Sequence, residues 1–171
     1  MRVLGIDPGI ATIGFSVLNY DNNRFMLERC GVITTPPHTS LASRLNRIYE
    51  DTEEILRLFT PDAVSIEELF FERNITTGIA VAHGRGAILL ACERAGVAIF
   101  EYTPMQVKQA VTGYGKAEKR QVMDMVKRIC SLKDVPKPDD AADAVALAIC
   151  HARSAGSLLT KRGDQSPCST I

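Results

Sequence analysis

Four acidic residues stand where the sequence pattern places the ends of buried elements. Asp7 follows the apolar run "RVLGI", and Glu67 follows "AVSI". Asp140 and Asp143 lie three residues apart near the start of an apolar helical segment, so both carboxylates project from one helix face. Carboxylates gathered in one place repel each other strongly unless cations neutralise them. The four acids are therefore candidates for one cation-binding site.

Taken singly, each acid also has a structural explanation. Asp7 opens an Asp-Pro-Gly turn, which is a common sequence for reversing the chain. An aspartate that follows Pro138 is a natural N-cap, and acids in the first turn suit the helix dipole. The joint explanation needs two conditions: the first and fourth strands must be neighbours in the sheet, and the last helix must cross their common edge.

A site made only of carboxylates suits Mg²⁺ or Mn²⁺ rather than zinc. Two such ions about 4 Å apart activate a water and stabilise the leaving oxygen of a phosphodiester. The charge distribution favours the same chemistry. The segment 108–137 has eight basic and three acidic residues, a net charge of +5, whereas the segment 50–68 has seven acids and one base. An acidic pocket beside a basic stretch is typical of a metal-dependent nuclease, in which the basic residues hold backbone phosphates.

The pattern of apolar residues predicts the elements that carry these side chains. Short runs rich in Val, Ile, Leu and Phe predict strands, and apolar residues three and four apart predict helices. The predicted strands are 3–7, 13–19, 25–33, 63–67 and 97–102, and the predicted helices are 41–59, 77–95, 104–111, 118–130 and 140–153. This order implies one α/β domain over residues 1–153, with a mixed five-stranded sheet whose first three strands are antiparallel. Residues 154–171 have no period and predict a disordered tail.

Composition places the chain among cytoplasmic globular proteins. It has 171 residues, no net charge and 46% hydrophobic residues. No stretch approaches the roughly 18–20 apolar residues that a membrane span needs. The five cysteines form no CxxC pair, so we expect free thiols in a reducing compartment and no zinc site.

Four segments of the sequence, in order and spacing, resemble the RuvC family of Holliday junction endonucleases. They are "LGIDPG", "IE" followed by Phe70, "QVKQAVTGYGKAEKRQV" and "DAADAVALAICH". The first is shared with other ribonuclease-H-like proteins, whereas the four together are specific. The resemblance covers about residues 1–153 and implies a ribonuclease-H-like fold.

The resemblance implies a function and a role for named residues. Asp7, Glu67, Asp140 and Asp143 would be catalytic carboxylates that bind Mg²⁺, two ions to a site, with Mn²⁺ as a possible substitute. The enzyme would act as a homodimer that nicks four-way junction DNA symmetrically and leaves 5′-phosphate and 3′-hydroxyl ends. A branch-migration helicase complex of the RuvA and RuvB type would be its partner in recombination and repair.

The residues expected at the DNA are mostly basic. Lys108 and Lys119 match family lysines near the scissile strand, and Lys116 and Arg120 belong to the same basic connection. Phe70 would stack on an unpaired base at the junction centre, although burial in the core is the alternative for one of the adjacent Phe70 and Phe71. Glu68 and Asp139 fall outside the family pattern, and we expect them to be solvated or to support the site from outside it.

Three other functions fit part of the sequence. A ribonuclease-H-like nuclease for flaps or RNA–DNA hybrids would use the same acids, but the basic connection and Phe70 favour junctions. A catalytically silent DNA-binding module would not need all four acids. An actin-like ATPase also begins with a strand that ends in Asp and Gly, but it needs a second duplicated domain, for which 171 residues leave no room.

Overall fold

The computed structural model describes residues 1–69 and 75–161, with side chains over 1–69 and 78–155. Five strands and five helices follow one another along the chain. They are β1 (Arg2–Asp7), β2 (Thr12–Asp21), β3 (Arg24–Thr34), α1 (Leu41–Phe59), β4 (Ala63–Glu67), α2 (Ile75–Arg94), β5 (Ile99–Tyr102), α3 (Pro104–Thr112), α4 (Lys119–Ile129) and α5 (Asp139–Lys161). The sheet order is β3-β2-β1-β4-β5, with β1 to β3 antiparallel and β1, β4 and β5 parallel. The predicted α/β fold with a mixed sheet is confirmed.

Alternation along the strands decides which face of the sheet each side chain joins. In β1, Leu4 and Ile6 join the buried cluster formed with α1 and α2. Val3 joins the cluster formed with α5 on the opposite face, and Gly5 lies against the backbone of α5. Asp7 continues the series 3, 5, 7, so the alternation directs its carboxylate to the α5 face.

Helices α1 and α2 cover one face with bulky aliphatic side chains. Ile48 of α1 and Ile88 of α2 are fully buried there. Helix α2 also packs closely on the turn after β1, because a Cβ atom on Gly84 would overlap the carbonyl oxygen of Gly9. The small residues of α2 therefore admit the Asp-Pro-Gly turn that positions the end of β1.

Helix α5 covers the other face at much closer range. A Cβ atom on Gly5 would overlap the carbonyl oxygen of Ala144, and one on Gly14 would overlap that of Asp140. The buried hydroxyl of Ser16 donates to the Ala144 carbonyl at 2.9 Å, and that of Ser65 donates to the Leu147 carbonyl at 2.7 Å. Glycines and serines on the strands thus seat the helix that carries two of the four acids.

The end of α5 differs from the prediction. The helix continues to Lys161, eight residues past the predicted end at Arg153, so the predicted tail of 154–171 is corrected for residues 154–161. Residues 162–171 lie outside the described part, and disorder there stays a prediction. The strand β5 begins at Ile99 rather than at residue 97. Within the described residues, no helix is long and apolar enough to cross a membrane.

Candidate active site

Asp7 and Glu67 end two neighbouring parallel strands. The register pairs Ile6 of β1 with Ile66 of β4, so the next residue on each strand is one of the two acids. Because parallel strands end at the same edge of a sheet, both carboxylates leave from one place. Ser65 contacts α5. Glu67 stands two residues further along the same strand, so its side chain is on the same face of the sheet and also faces α5. The condition that β1 and β4 be neighbours is met.

A cleft of about 290 Å³ opens at this edge, between the strand ends and helices α3, α4 and α5. Asp7, Glu67 and Asp143 line it together with Lys108 and Lys119. The remaining wall is apolar, with Pro104, Val107, Val122, Ala146 and Leu147. Three of the four predicted acids and two predicted lysines therefore share one cleft.

Asp140 stands one turn before Asp143 on α5 and does not line the cleft wall. Its backbone carbonyl meets Gly14, which fixes the start of the helix against β2. Its charge is close enough to Asp7 to raise the pKa of that carboxyl group. Asp140 thus belongs to the same electrostatic cluster although it lies at its margin.

Burial, reinforced by repulsion between neighbouring acids, raises the pKa values of Asp7, Glu67 and Asp143. Burial raises the pKa of Asp7 to about 7, and the charges of Glu67, Asp143 and Asp140 act in the same direction. The pKa of Glu67 is also raised, first by burial and then by the charge of Asp143, while Lys108 opposes the rise. Such a site gains free energy when a cation enters it, because the cation relieves the repulsion between carboxylates.

Lys119 supplies positive charge at the first residue of α4. Its Nζ atom lies 3.0 Å from Oδ2 of Asp143 and 3.3 Å from Oδ2 of Asp139. Partial burial lowers the pKa of Lys119, but the hydrogen bonds and charges of these aspartates raise it overall. The pKa of Asp143 is raised because its burial outweighs the opposing effect of the lysine. Asp139, which the family pattern leaves out, therefore contacts the site through Lys119.

The four acids provide the kind of ligand atoms that a hard divalent cation prefers. Asp7, Glu67, Asp140 and Asp143 offer only carboxylate oxygens, which Mg²⁺ and Mn²⁺ prefer. Among the side chains that the structure describes, no three acidic, histidine or cysteine groups stand close enough together to hold one ion. Burial raises the pKa values of Asp7, Glu67 and Asp143, and the charges of neighbouring acids add to each rise; a cation would relieve that added repulsion.

The other predicted DNA contacts are scattered around the cleft. Lys108 is half-buried in its wall, whereas Lys116 is exposed and lines a separate cavity. Arg120 is exposed in the first turn of α4. Phe70 lies outside the described residues, so its predicted role in stacking stays a prediction. Glu68 is exposed, in agreement with a solvated position.

Sequence reasoning missed the residues that set the position of α5. Gly5, Gly14, Ser16 and Ser65 are buried on the strands, and none is a candidate for chemistry. A signal for them existed, because a glycine inside a strand often marks a place where another backbone approaches closely. The polar serines within apolar strands carried a similar signal, since a buried hydroxyl must find a partner.

The sheet order and the acidic cleft at the ends of β1 and β4 place the chain in the ribonuclease-H-like class. Residues 3–151 match the family model described as "Crossover junction endodeoxyribonuclease RuvC". The protein of that description from Finegoldia magna is 52% identical over 151 residues, which cover 88% of this chain and 92% of the relative.

Solved structures agree with the sequence match. The structure of Thermus thermophilus RuvC superposes with a TM-score of 0.87 at 40% identity, covering 92% of this chain and 96% of the other. A second structure of T. thermophilus RuvC, in complex with Holliday junction substrate, has the same TM-score at 41% identity and covers 91% and 94% of the two chains. The chain belongs to the RuvC family.

Proposed function

We propose that this protein is an endonuclease that resolves four-way Holliday junctions by paired symmetric nicks. One observation carries the proposal: Asp7, Glu67 and Asp143 line a single cleft with Lys108 and Lys119. Membership of the RuvC family and the likeness to a RuvC bound to a Holliday junction support the choice of substrate. The biological setting would be homologous recombination and DNA repair.

The four carboxylates are the proposed ligands of two Mg²⁺ ions, which Mn²⁺ can replace. When bound, the ions would activate the attacking water and neutralise charge at the leaving oxygen. Strands β1 and β4 hold Asp7 and Glu67 rigidly, and the close seating of α5 fixes where Asp140 and Asp143 begin. A site built on rigid elements keeps its geometry during reaction. Hydrolysis would leave a 5′-phosphate and a 3′-hydroxyl.

Lys108 and Lys119 are proposed to hold the scissile phosphate. Both line the cleft, on α3 and α4 respectively, and the Nζ atom of Lys119 already lies 3.0 Å from Oδ2 of Asp143. Charged contacts of this kind make binding to DNA strongly dependent on salt. Lys116 and Arg120 are exposed, on the α3–α4 connection and in the first turn of α4, and would contact phosphates further along the strand.

A homodimer matches the twofold symmetry of a junction that must be cut twice. Helix α2 supports this part of the proposal, because apolar side chains stand on its exposed side as well as on the side that packs in the core. Ile79 and Leu90 are 50% and 54% exposed, and a Cβ atom on Gly86 would meet no other described part of the protein within 4 Å apart from its own stretch of helix. With His83 these residues form a stripe at spacings of four, three and four, which suits a second α2 helix.

The remaining parts of the proposal concern the cell. We propose a cytoplasmic enzyme that works with a branch-migration helicase complex of the RuvA and RuvB type. Membership of the RuvC family supports this placement, since similar proteins occur in Finegoldia magna, Ruminiclostridium cellulolyticum and Caldanaerobacter subterraneus.

The central test compares three DNA substrates with and without Mg²⁺. Synthetic immobile four-way junction, flap and linear duplex are incubated with wild-type protein and with Asp7→Asn. We expect paired symmetric nicks in the junction alone, dependent on Mg²⁺, and loss of cleavage with retained junction binding in Asp7→Asn. Cleavage by Asp7→Asn at the wild-type rate would overturn the site assignment, and cleavage of the flap alone would favour a different nuclease.

The dimer is tested by placing a charge on the α2 stripe. Leu90→Glu should convert the protein to a monomer in analytical ultracentrifugation, because an unpaired carboxylate would be buried at the interface. Leu58→Glu is the matched control, since Leu58 of α1 is 57% exposed and lies outside the stripe. A dimer that survives Leu90→Glu at micromolar concentration would exclude α2 as the interface.

A further inference from the structure

A second cavity, the α3 cavity, lies on the other side of helix α3 from the acidic cleft. It has a volume of about 610 Å³ and is lined by residues of α3, the α3–α4 connection, Tyr102 and α5. Val107 and Lys108 of α3 face the cleft, whereas Met105 and Gln109 face the cavity. One helix thus forms a shared wall, and a DNA strand held in the cleft passes within one helix width of the cavity.

The rim of the α3 cavity exposes large apolar side chains. Tyr114 is 58% exposed and Met105 is 63% exposed. Exposed apolar surface around a concave site is typical of a place where a ligand binds. An aromatic ring on the rim offers a stacking surface to any flat partner.

The rim is also preformed. Helix α3 is capped by Gly113, whose φ of 80° turns the chain, and the amide of Tyr114 donates to the hydroxyl of Thr112 at 3.1 Å. The amide of Ala117 donates to the carbonyl of Tyr114 at 3.1 Å. Because the backbone amide and carbonyl of Tyr114 are both hydrogen-bonded, the backbone that carries the ring is already ordered, and binding would have to order only the side chain.

Polar groups in the cavity restrict the class of ligand. The exposed Lys116 lies on the lining and belongs to the basic segment 108–137. The side-chain amide of Gln109 donates to the carbonyl of Gly113, and its oxygen lies beside Gly115 on the lining. A mainly apolar cavity with an aromatic rim, an amide group and a lysine matches a nucleotide: the ring stacks, the amide meets the base edge and the lysine meets the phosphate.

We propose that the α3 cavity receives one nucleobase of the junction strand held in the acidic cleft, with Tyr114 stacked on the base and Lys116 at its phosphate. This inference rests on the proposed function for its substrate. Bases next to a branch point are the easiest to unstack, so the cavity would favour a junction over a linear duplex. It would also give the enzyme contact with a base, which the acidic cleft, built for phosphates and cations, does not provide.

The experiment removes the base and the ring separately and then together. Affinity is measured by fluorescence anisotropy without divalent ions, on four-way junctions that carry a single abasic site at successive positions around the branch point. Wild-type protein is compared with Tyr114→Ala and with Tyr114→Phe, which keeps the ring. Leu58→Ala is the control for loss of an equally exposed apolar side chain, since Leu58 is 57% exposed on α1.

We expect an abasic site at either of two symmetry-related positions to weaken wild-type binding by roughly 5- to 150-fold, the range that base stacking on an aromatic side chain gives. Tyr114→Ala should lose the same factor on the intact junction and nothing more on that abasic junction. Tyr114→Phe and Leu58→Ala should behave as wild type.

Two outcomes would overturn the proposal. One is a Tyr114→Ala variant that binds the intact junction as tightly as wild type, which would show that the α3 cavity does not bind a base of the junction. The other is an abasic profile that is unchanged by Tyr114→Ala, which would place the unstacked base elsewhere. If wild-type protein does not prefer a junction over duplex, the proposed function itself has failed, which is a separate result.

Discussion

The two faces of the sheet are covered in different ways. On one face, α1 and α2 bury large aliphatic side chains such as Ile48 and Ile88. On the other, α5 lies so close to β1 and β2 that Gly5 and Gly14 leave no room for a Cβ atom. The first face resembles an ordinary core, in which bulky side chains fill the space between layers. The second brings backbone against backbone.

This difference indicates which face of the sheet fixes the positions of the four acids. Large side chains in a core tolerate small shifts of the helix above them, because rotamers and neighbours readjust. A helix whose carbonyls meet the strands directly has no such freedom. Both strand acids and both helix acids belong to the second face, so the closely packed side fixes the site and the bulky side supplies stability.

The strongest test of this contrast is a single methyl group added to each face. Gly14→Ala should lower the free energy of unfolding by more than about 3 kcal/mol, because the new Cβ atom overlaps backbone that cannot rotate away. The start of α5 must move, and a shift near 1 Å at reacting groups costs about 100-fold in rate. Junction cleavage measured well below the melting temperature reports this loss.

Gly31→Ala is the matched control on the opposite face. Its Cβ atom would lie 3.1 Å from the ring of Phe15, a side chain that can give way. We expect a cost of about 1 kcal/mol or less and an unchanged cleavage rate. Equal losses of activity in the two variants would contradict the division between the faces.

The converse test removes bulk from the α2 side. Ile88 is fully buried, and Ile88→Ala should cost about 3 kcal/mol because the cavity cannot close completely. The cleavage rate below the melting temperature should stay at the wild-type value, since α5 keeps its contacts with the strands. Thermal unfolding and single-turnover cleavage on the same sample separate the two effects. A rate that falls in parallel with stability would show that both faces position the site.

The sequence was informative about elements and faces for physical reasons. Strand alternation and helical spacing depend on burial, so the order of the elements and the positions of Asp7 and Glu67 at strand ends could be predicted. The adjacency of β1 and β4 was a condition that the sequence allowed but did not prove. It depends on the crossover through α1, which the sheet order now shows.

The details of the site could not be read in the same way. The ion pair between Lys119 and Asp139 joins residues twenty positions apart, and its geometry depends on how α4 meets α5. The position of Asp140 at the margin of the cleft depends on the rotation of α5, which contacts at Gly5 and Gly14 determine. The continuation of α5 past Arg153 was missed because residues 154–161 carry no clear apolar period.

A smaller effect should come from the ionisation of Asp7, which makes the stability of the protein depend on pH. The pKa of Asp7 rises from 3.8 to about 7 on folding, so between these values the native protein binds a proton that the unfolded chain has released. Stability in EDTA should therefore fall as pH rises from about 4 to about 7. Asp7→Asn should flatten this slope and raise the free energy of unfolding at pH 8 by about 1–3 kcal/mol.

Urea unfolding at several pH values measures the slope. Glu68→Gln is the control, because Glu68 is exposed next to Glu67 and should leave the wild-type slope in place. Millimolar Mg²⁺ should stabilise wild-type protein at pH 8 and should stabilise Asp7→Asn less. A wild-type stability that rises steadily from pH 4 to pH 7 in EDTA would contradict the electrostatic account.

The smallest expected effect comes from a single hydroxyl on each face. Ser65 donates to the carbonyl of Leu147, which ties β4 to α5, whereas buried Thr52 donates to the carbonyl of Ile48 within α1. Each of Ser65→Ala and Thr52→Ala should cost about 1 kcal/mol, the usual net value of such a hydrogen bond. Only Ser65→Ala should slow junction cleavage, and by several-fold, because only that bond links a strand of the site to the helix of the site. If the two variants are equally stable but differ in cleavage rate, the hydrogen bond to α5 helps to position the site. Equal rates would show that the glycine contacts alone are enough to position α5.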